Sequence, residues 1–191
     1  LTGGGGNDQL TGQDGNDSLI GGSGDDLLTG GNGSDNFIFN SSNLGIDAIT
    51  DFTPGSDKIV LSKTIFSALE SIIGDGFSQL AEFASVDDDD LVATSSAFIV
   101  YSNSSGSIYY NQNGSAAGLG NGSEFANLLT VPTLTAADFT LGAEALRLSP
   151  SKTVVVKCLP VVAVARQRDL GLSRHTARPF STPPFIAGCS R

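Results

Sequence analysis

A nine-residue period at the start of the chain limits its fold more than any other feature. From Gly3 the residues divide into GGGGNDQLT, GQDGNDSLI, GGSGDDLLT and GGNGSDNFI. Position one is Gly3, Gly12, Gly21 and Gly30, and position four is Gly6, Gly15, Gly24 and Gly33. Position six is Asp8, Asp17, Asp26 and Asp35, and position eight is Leu10, Leu19, Leu28 and Phe37. Position two breaks the pattern once, with Gln13 where the other repeats have Gly. A period of this kind marks stacked units that bury their apolar faces against one another. A flexible Gly/Asp linker has a similar composition, but it has no reason to place a large apolar residue every ninth position.

Each column has a physical task. Glycine reaches positive φ without a Cβ penalty, so six residues can curl their carbonyl oxygens toward one point. The aspartate adds a carboxylate, completing the all-oxygen shell that Ca²⁺ prefers. The last three residues of each repeat extend as a strand with the Leu or Phe pointing inward. Stacked turns then give a parallel coil with an apolar ladder inside and a column of metal outside. Asn7, Asn16 and Asp25, at position five, are expected to face solvent. Leu1 and Thr2 fit positions eight and nine of a preceding repeat, so the array is expected to begin before residue 1. The absence of Met likewise points to a piece of a longer protein.

Charge divides the chain. Residues 1–141 carry two Lys against eighteen Asp plus Glu, a net of −16, whereas residues 142–191 carry eight Lys plus Arg against two acids, a net of +6. The acidic body suits hard cations and excludes nucleic acid as a partner, because phosphate contacts need clustered Lys and Arg. Cys158 and Cys189 both lie in the basic segment, leaving the body to be held by packing and metal. Thr153–Ala165 is apolar but too short to span a bilayer, and Lys157 and Pro160 interrupt it, so no membrane-spanning segment is expected. With five of the seven prolines, residues 142–191 are expected to be a disordered extension, with partner binding as the alternative.

Between these segments, residues 39–141 predict a small cap of mostly antiparallel strands. Ile46, Ile49 and Phe52 are spaced to bury one edge. Pro54-Gly55-Ser56-Asp57 is a turn signal, and Lys58–Leu61 would return as the second strand of a hairpin. Ser62 would cap a short helix with Ile65, Phe66 and Leu69 on one face. Ala97–Tyr101 and Ser107–Asn111 flank Asn103-Ser104-Ser105-Gly106 as a second hairpin. Phe125, Leu128, Leu129 and Val131 form a further apolar run, and Thr135 with Asp138 starts a final helical turn. Asp87–Asp90 is expected to be a solvated loop rather than a metal site; Asp47, Asp51 and Asp57 are better ligand candidates, but are expected to serve strand ends and turns.

No catalytic constellation is expected. Residues 1–141 contain no His, Cys, Arg, Trp or Met, and the single His175 stands in no recognisable signature. There is no HExxH helix and no GxSxG elbow, and Gly118–Gly122 lacks the Lys-Ser/Thr ending of a phosphate loop.

The repeats resemble those of the RTX (repeats-in-toxin) family of secreted bacterial proteins. That resemblance implies an all-β fold, a parallel β-roll over residues 1–38 in which each ion lies between a turn and the next but one. One Ca²⁺ site would then use Asp8 and Asp26, with carbonyls around Gly4, Gly6, Gly22 and Gly24. A second would use Asp17 and Asp35, with carbonyls around Gly15, Gly31 and Gly33, and Gln13 falls at the start of one of its turns. DNFIFN, IDAITDFTPGSDKIVLS, FIVYSNSSGSIYYNQNGSAAGLGNGSEFANL and LTAADFTL are similar to the bluetail-type C-terminal module of bacterial surface proteins. The opening stretch is also similar to the end of serralysin-type proteases. The implied function is calcium-triggered folding and export through a type I secretion apparatus, with Asp138-Phe139-Thr140-Leu141 resembling the end of the export signal. The implied location is extracellular or at the cell surface. The parent would be a surface protein or, alternatively, a secreted enzyme such as a serralysin-like metalloprotease, or else a Ca²⁺-stiffened spacer.

Overall fold

The computed structural model describes residues 1–114, 118–120 and 122–142. The expectation of a disordered basic tail, together with Cys158, Cys189 and His175, lies outside these residues. Thirteen strands are formed among them: β1 (Thr2–Gly5), β2 (Gln9–Asp14), β3 (Ser18–Ser23), β4 (Leu27–Asn32), β5 (Asn36–Phe39), β6 (Asp47–Ile49), β7 (Lys58–Ser62), β8 (Gly74–Asp75), β9 (Phe83–Val86), β10 (Ile99–Ser102), β11 (Ser107–Tyr110), β12 (Glu124–Leu128) and β13 (Phe139–Gly142). Among the described residues the helical pieces are all 3-10 turns, so the described fold is all-β.

Strands β1 to β7 alternate between two sheets, ordered β1-β3-β5-β7-β13-β8 and β2-β4-β6-β12-β11-β10-β9. The register follows from the period. Thr2 pairs with Ile20 and Gly4 with Gly22, both two repeats along the chain, and Leu10 pairs with Leu28 in the same way. Position eight therefore builds one ladder in each sheet. Leu10, Leu28, Ile49 and Leu128 are register partners in one, and Leu19, Phe37, Ile59 and Phe139 in the other. Nearly all of these side chains are completely buried, each adding about 1.5–3 kcal/mol of apolar burial. Both ladders run from the repeats into the cap without a break, and a single core cluster spans them.

The cap departs from expectation in four places. Its pairing is mixed rather than mostly antiparallel: β6, β7, β12 and β13 extend the parallel ladders, while β10–β11–β12 and β8–β13 are antiparallel. The expected first hairpin is absent, because the Pro54–Asp57 turn carries the chain from one sheet to the other, as every repeat turn does. Ser62 opens a tight turn, not a helix. The Ile65 and Phe66 amides bond its carbonyl, and Phe66 and Leu69 still reach the core. Ile46, Leu129 and Val131 are exposed, and Val131, with φ of 45°, follows the turn after β12. The second hairpin forms as β10–β11, and Thr135 with Asp138 makes a capping box on a 3-10 turn.

Candidate metal centre

The turns before each strand place glycines where only glycine fits. Gly22 and Gly24 both have φ of +116°, and the carbonyl of Gly6 stands 2.6 Å from where a Cβ on Gly24 would lie. The carbonyls of Gly4, Gln13 and Gly15 stand in the same way against Gly22, Gly31 and Gly33. Carbonyl oxygens of one turn are thus aimed at the next but one. Gln13 takes the same left-handed backbone as the glycines it replaces, with φ of 79°.

Position one is closely approached by the aspartate of its own repeat. A Cβ on Gly3 would lie 2.6 Å from Gly21 O and 2.7 Å from Asp8 Oδ2, so these two oxygens from different turns converge on one spot. At Gly12 the same spot is approached by Asp17 Oδ2 and Gly30 O.

The aspartates bind the stack together by one oxygen only. Asp8 N–H donates to Asp26 Oδ1 and Asp17 N–H to Asp35 Oδ1, each at 2.8 Å. The second oxygens of Asp8, Asp17, Asp26 and Asp35 are buried with no hydrogen-bond partner. Asp26 and Asp35 are 2% and 1% exposed. A buried polar atom without a partner costs about 1–3 kcal/mol, and more when charged, so four in one array call for a ligand. The donor set of carboxylate and carbonyl oxygens suits Ca²⁺, which takes six to eight such ligands in flexible geometry. Among the described residues no three His, Cys, Asp or Glu side chains cluster as a metal site. The array instead spreads one carboxylate per turn among backbone carbonyls. The structure thus brings together the expected pairs Asp8/Asp26 and Asp17/Asp35, with Gly4, Gly6, Gly15, Gly22, Gly24, Gly31 and Gly33 lining the same turns.

Position five does more than face solvent. Asn7, Asn16 and Asp25 are exposed, but their Oδ1 atoms accept the N–H groups of Asp25, Ser34 and Ile46, at 3.0, 2.9 and 2.9 Å. Asp51 accepts from Gly30 N–H and Gly31 N–H. Asp47 and Asp57 are buried and take over the position-six role, accepting from Asp26 N–H and Asp35 N–H. Burial, reinforced by the charges of Asp26 and Asp25, pushes the Asp47 carboxyl up to about 7 against the pull of the Asp26 amide. Burial raises Asp57 as well. Gly45-Ile46-Asp47-Ala48-Ile49 and Gly55-Ser56-Asp57-Lys58-Ile59 repeat the Gly-x-Asp-x-apolar spacing of positions four to eight, the signal by which the sequence marks these two residues. Asp87–Asp90 is exposed as expected, with Asp88 capping a 3-10 turn.

Residues 2–37 match the family described as the RTX calcium-binding nonapeptide repeat, in four copies. RTX repeats bind Ca²⁺, and this segment carries them. The chain is also similar to the solution structure of the AlgE6R3 subunit from the Azotobacter vinelandii mannuronan C5-epimerase. Identity there is 20%, with 88% of this chain and 92% of that one covered at a TM-score of 0.39. No curated protein matches the chain. Among the described residues, no helix is long and apolar enough to cross a membrane.

Proposed function

We propose that residues 1–142 form a non-catalytic module that folds on Ca²⁺ as its parent protein leaves the cell. Asp8 with Asp26, and Asp17 with Asp35, hold the ions together with the carbonyls of the intervening glycine turns. The observation that carries this reading is the set of four buried, unpartnered carboxylate oxygens. Without metal these charges stack on one another two repeats apart, and the glycine-rich backbone gains most from disorder. Binding and folding are then one event. Sensor-range and extracellular Ca²⁺ sites differ by orders of magnitude in affinity, and extracellular modules work at about 10⁻⁴–10⁻³ M. Such a module stays unfolded inside a cell, passes a type I secretion apparatus as a chain, and folds at the cell surface or beyond. Phe139 and Leu141, the apolar part of the segment resembling an export signal, are completely buried in β13. An apparatus reading that segment would have to do so before the module folds.

Far-UV circular dichroism during a Ca²⁺ titration, with Mg²⁺ as control, tests the reading. The expected outcome is a coil-to-β transition near millimolar Ca²⁺, absent with Mg²⁺ and weakened by Asp26→Ala. Equal β content in chelator overturns it.

A further inference from the structure

We propose that Ser41–Asp47, outside the nonapeptides, is a cryptic fifth repeat turn that completes an additional Ca²⁺ site with Asp26. The inference rests on the reading of the array as calcium sites. It starts from the unpartnered Oδ2 of Asp26, a residue only 2% exposed. That oxygen crowds the Cβ position of Gly21, just as Asp8 Oδ2 and Asp17 Oδ2 crowd those of Gly3 and Gly12. At Gly3 and Gly12 this is the face turned to the next turn but one, which supplies Gly21 O and Gly30 O. For Asp26 the next turn but one is not a repeat. It is the loop leading into β6.

That loop copies three contacts of the array, and Gly45, Asp47 and Ile49 keep the spacing of positions four, six and eight although the nine-residue count is broken. Gly24 O packs against Gly45, which has φ of 71°, as Gly6 O packs against Gly24. Asp25 Oδ1 accepts from Ile46 N–H at 2.9 Å, as Asn7 Oδ1 accepts from Asp25 N–H at 3.0 Å. Asp47 Oδ1 accepts from Asp26 N–H at 3.2 Å, as Asp26 Oδ1 accepts from Asp8 N–H. Positions four, five and six are thus all represented. Neither lysine of the body neutralises these carboxylates. Lys58 Nζ donates to Ala137 O, and Lys63 Nζ to Leu69 O and Ser71 O. A divalent cation between Asp26 and Asp47 supplies the missing charge and the missing partner together.

The opposite side of the roll is built differently. There Ser56 Oγ donates to Gly33 O, and Thr53 N–H donates to the second oxygen of Asp57. Asp35 Oδ2 is unpartnered there too, but Gly33 O and Asp57 Oδ2, which a cation would need beside it, are already engaged, so the inference is confined to the Asp47 side.

Native mass spectrometry of the full chain in a Ca²⁺ series, with calorimetric titration alongside, counts the ions. Asp47→Ala is expected to bind one ion fewer than the unaltered chain, with the remaining affinities kept. Should that variant fail to fold, Asp47→Asn keeps an acceptor for Asp26 N–H while removing the charge, and one site is expected to weaken at least tenfold. An unchanged count and unchanged affinities in the variant that folds overturn the proposal but leave the repeat sites standing. If the unaltered chain binds no Ca²⁺, the reading of the repeats fails with it.

Discussion

Buried carboxylates occur in both halves of the molecule, and they are satisfied in opposite ways. In the cap, Asp138 accepts from Gly55 N–H with one oxygen and from Thr135 N–H and Oγ1 with the other. Glu82 accepts from the amides of Glu70 and Ser71. Both acids are 2% exposed, and neither leaves an oxygen without a partner. In the array, Asp26 and Asp35 use one oxygen as a rung, and the second oxygens of Asp8, Asp17, Asp26 and Asp35 are all left without a partner. Burial is similar in Asp26 and Asp138, so burial does not separate structural acids from metal ligands. Saturation does. A carboxylate whose lone pairs are filled by amides is a brace, while one with a buried free oxygen among carbonyls is half of a site.

The sharpest way to break this comparison is to fill a turn. Gly22→Ala puts a Cβ onto the Gly4 carbonyl at a backbone angle of +116°, adding overlap to left-handed strain. We expect a loss of about 4 kcal/mol, combining the usual costs of overpacking and of a strained φ. The check is denaturant unfolding at saturating Ca²⁺. Next comes a pair, Asp138→Ala and Asp17→Ala. The unfolding free energy rises with ln[Ca²⁺] at a slope set by the ions released. Asp138→Ala strands three donors and is expected to lower stability by about 3 kcal/mol with that slope unchanged. Asp17→Ala is expected to lower the slope itself. Equal slopes in both variants would erase the distinction between brace and ligand.

The array was legible in the sequence because one column of residues fixes one structural quantity. Position eight gave the core, position six the carboxylates, and the period gave the two-turn register seen as Thr2–Ile20 and Leu10–Leu28. The cap was legible only locally. Ala97–Asn111 carries its own turn and folds on itself, so the hairpin was readable. Pro54–Asp57 carries an equally strong turn signal, yet Lys58–Ser62 pairs with Asn36–Phe39 and Phe139–Gly142, neither adjacent in the chain. A turn signal says that the chain reverses, not which sheet edge receives it. A break in the period hid Asp47, although Gly45, Asp47 and Ile49 keep the spacing of positions four, six and eight. Its role comes from stacking on Asp26 across a loop whose length breaks the nine-residue count.

Acid probes that junction next. Asp47 and Asp57 have folded-state values raised by burial, Asp47 to about 7 from 3.8. For a raised carboxyl, folding takes up protons. Its contribution is complete below the ordinary carboxylate range and is lost as pH rises toward about 7. In chelator, residual β-structure is therefore expected to be greater at pH 5 than at pH 8, measured by circular dichroism at constant ionic strength. A flat profile would mean that neutral Asp47 does not hold the cap onto the last turn.

The smallest expected effect has the opposite sign. Gln13 sits at φ of 79° in the column where the other three repeats have glycine, and its carbonyl packs against Gly31 as theirs would. A left-handed non-glycine residue costs about 1–3 kcal/mol. Gln13→Gly removes that strain and gives back about 0.5–1 kcal/mol through the greater freedom of the unfolded chain. The net expectation is a gain near 1 kcal/mol at saturating Ca²⁺, read from the denaturation midpoint, with the number of bound ions unchanged. Because Gln13 contributes only its carbonyl, a glycine serves equally well at that position. A loss of stability or of an ion would instead show that the glutamine side chain takes part in the turn, and that the array tolerates its one irregular residue for a reason other than backbone shape.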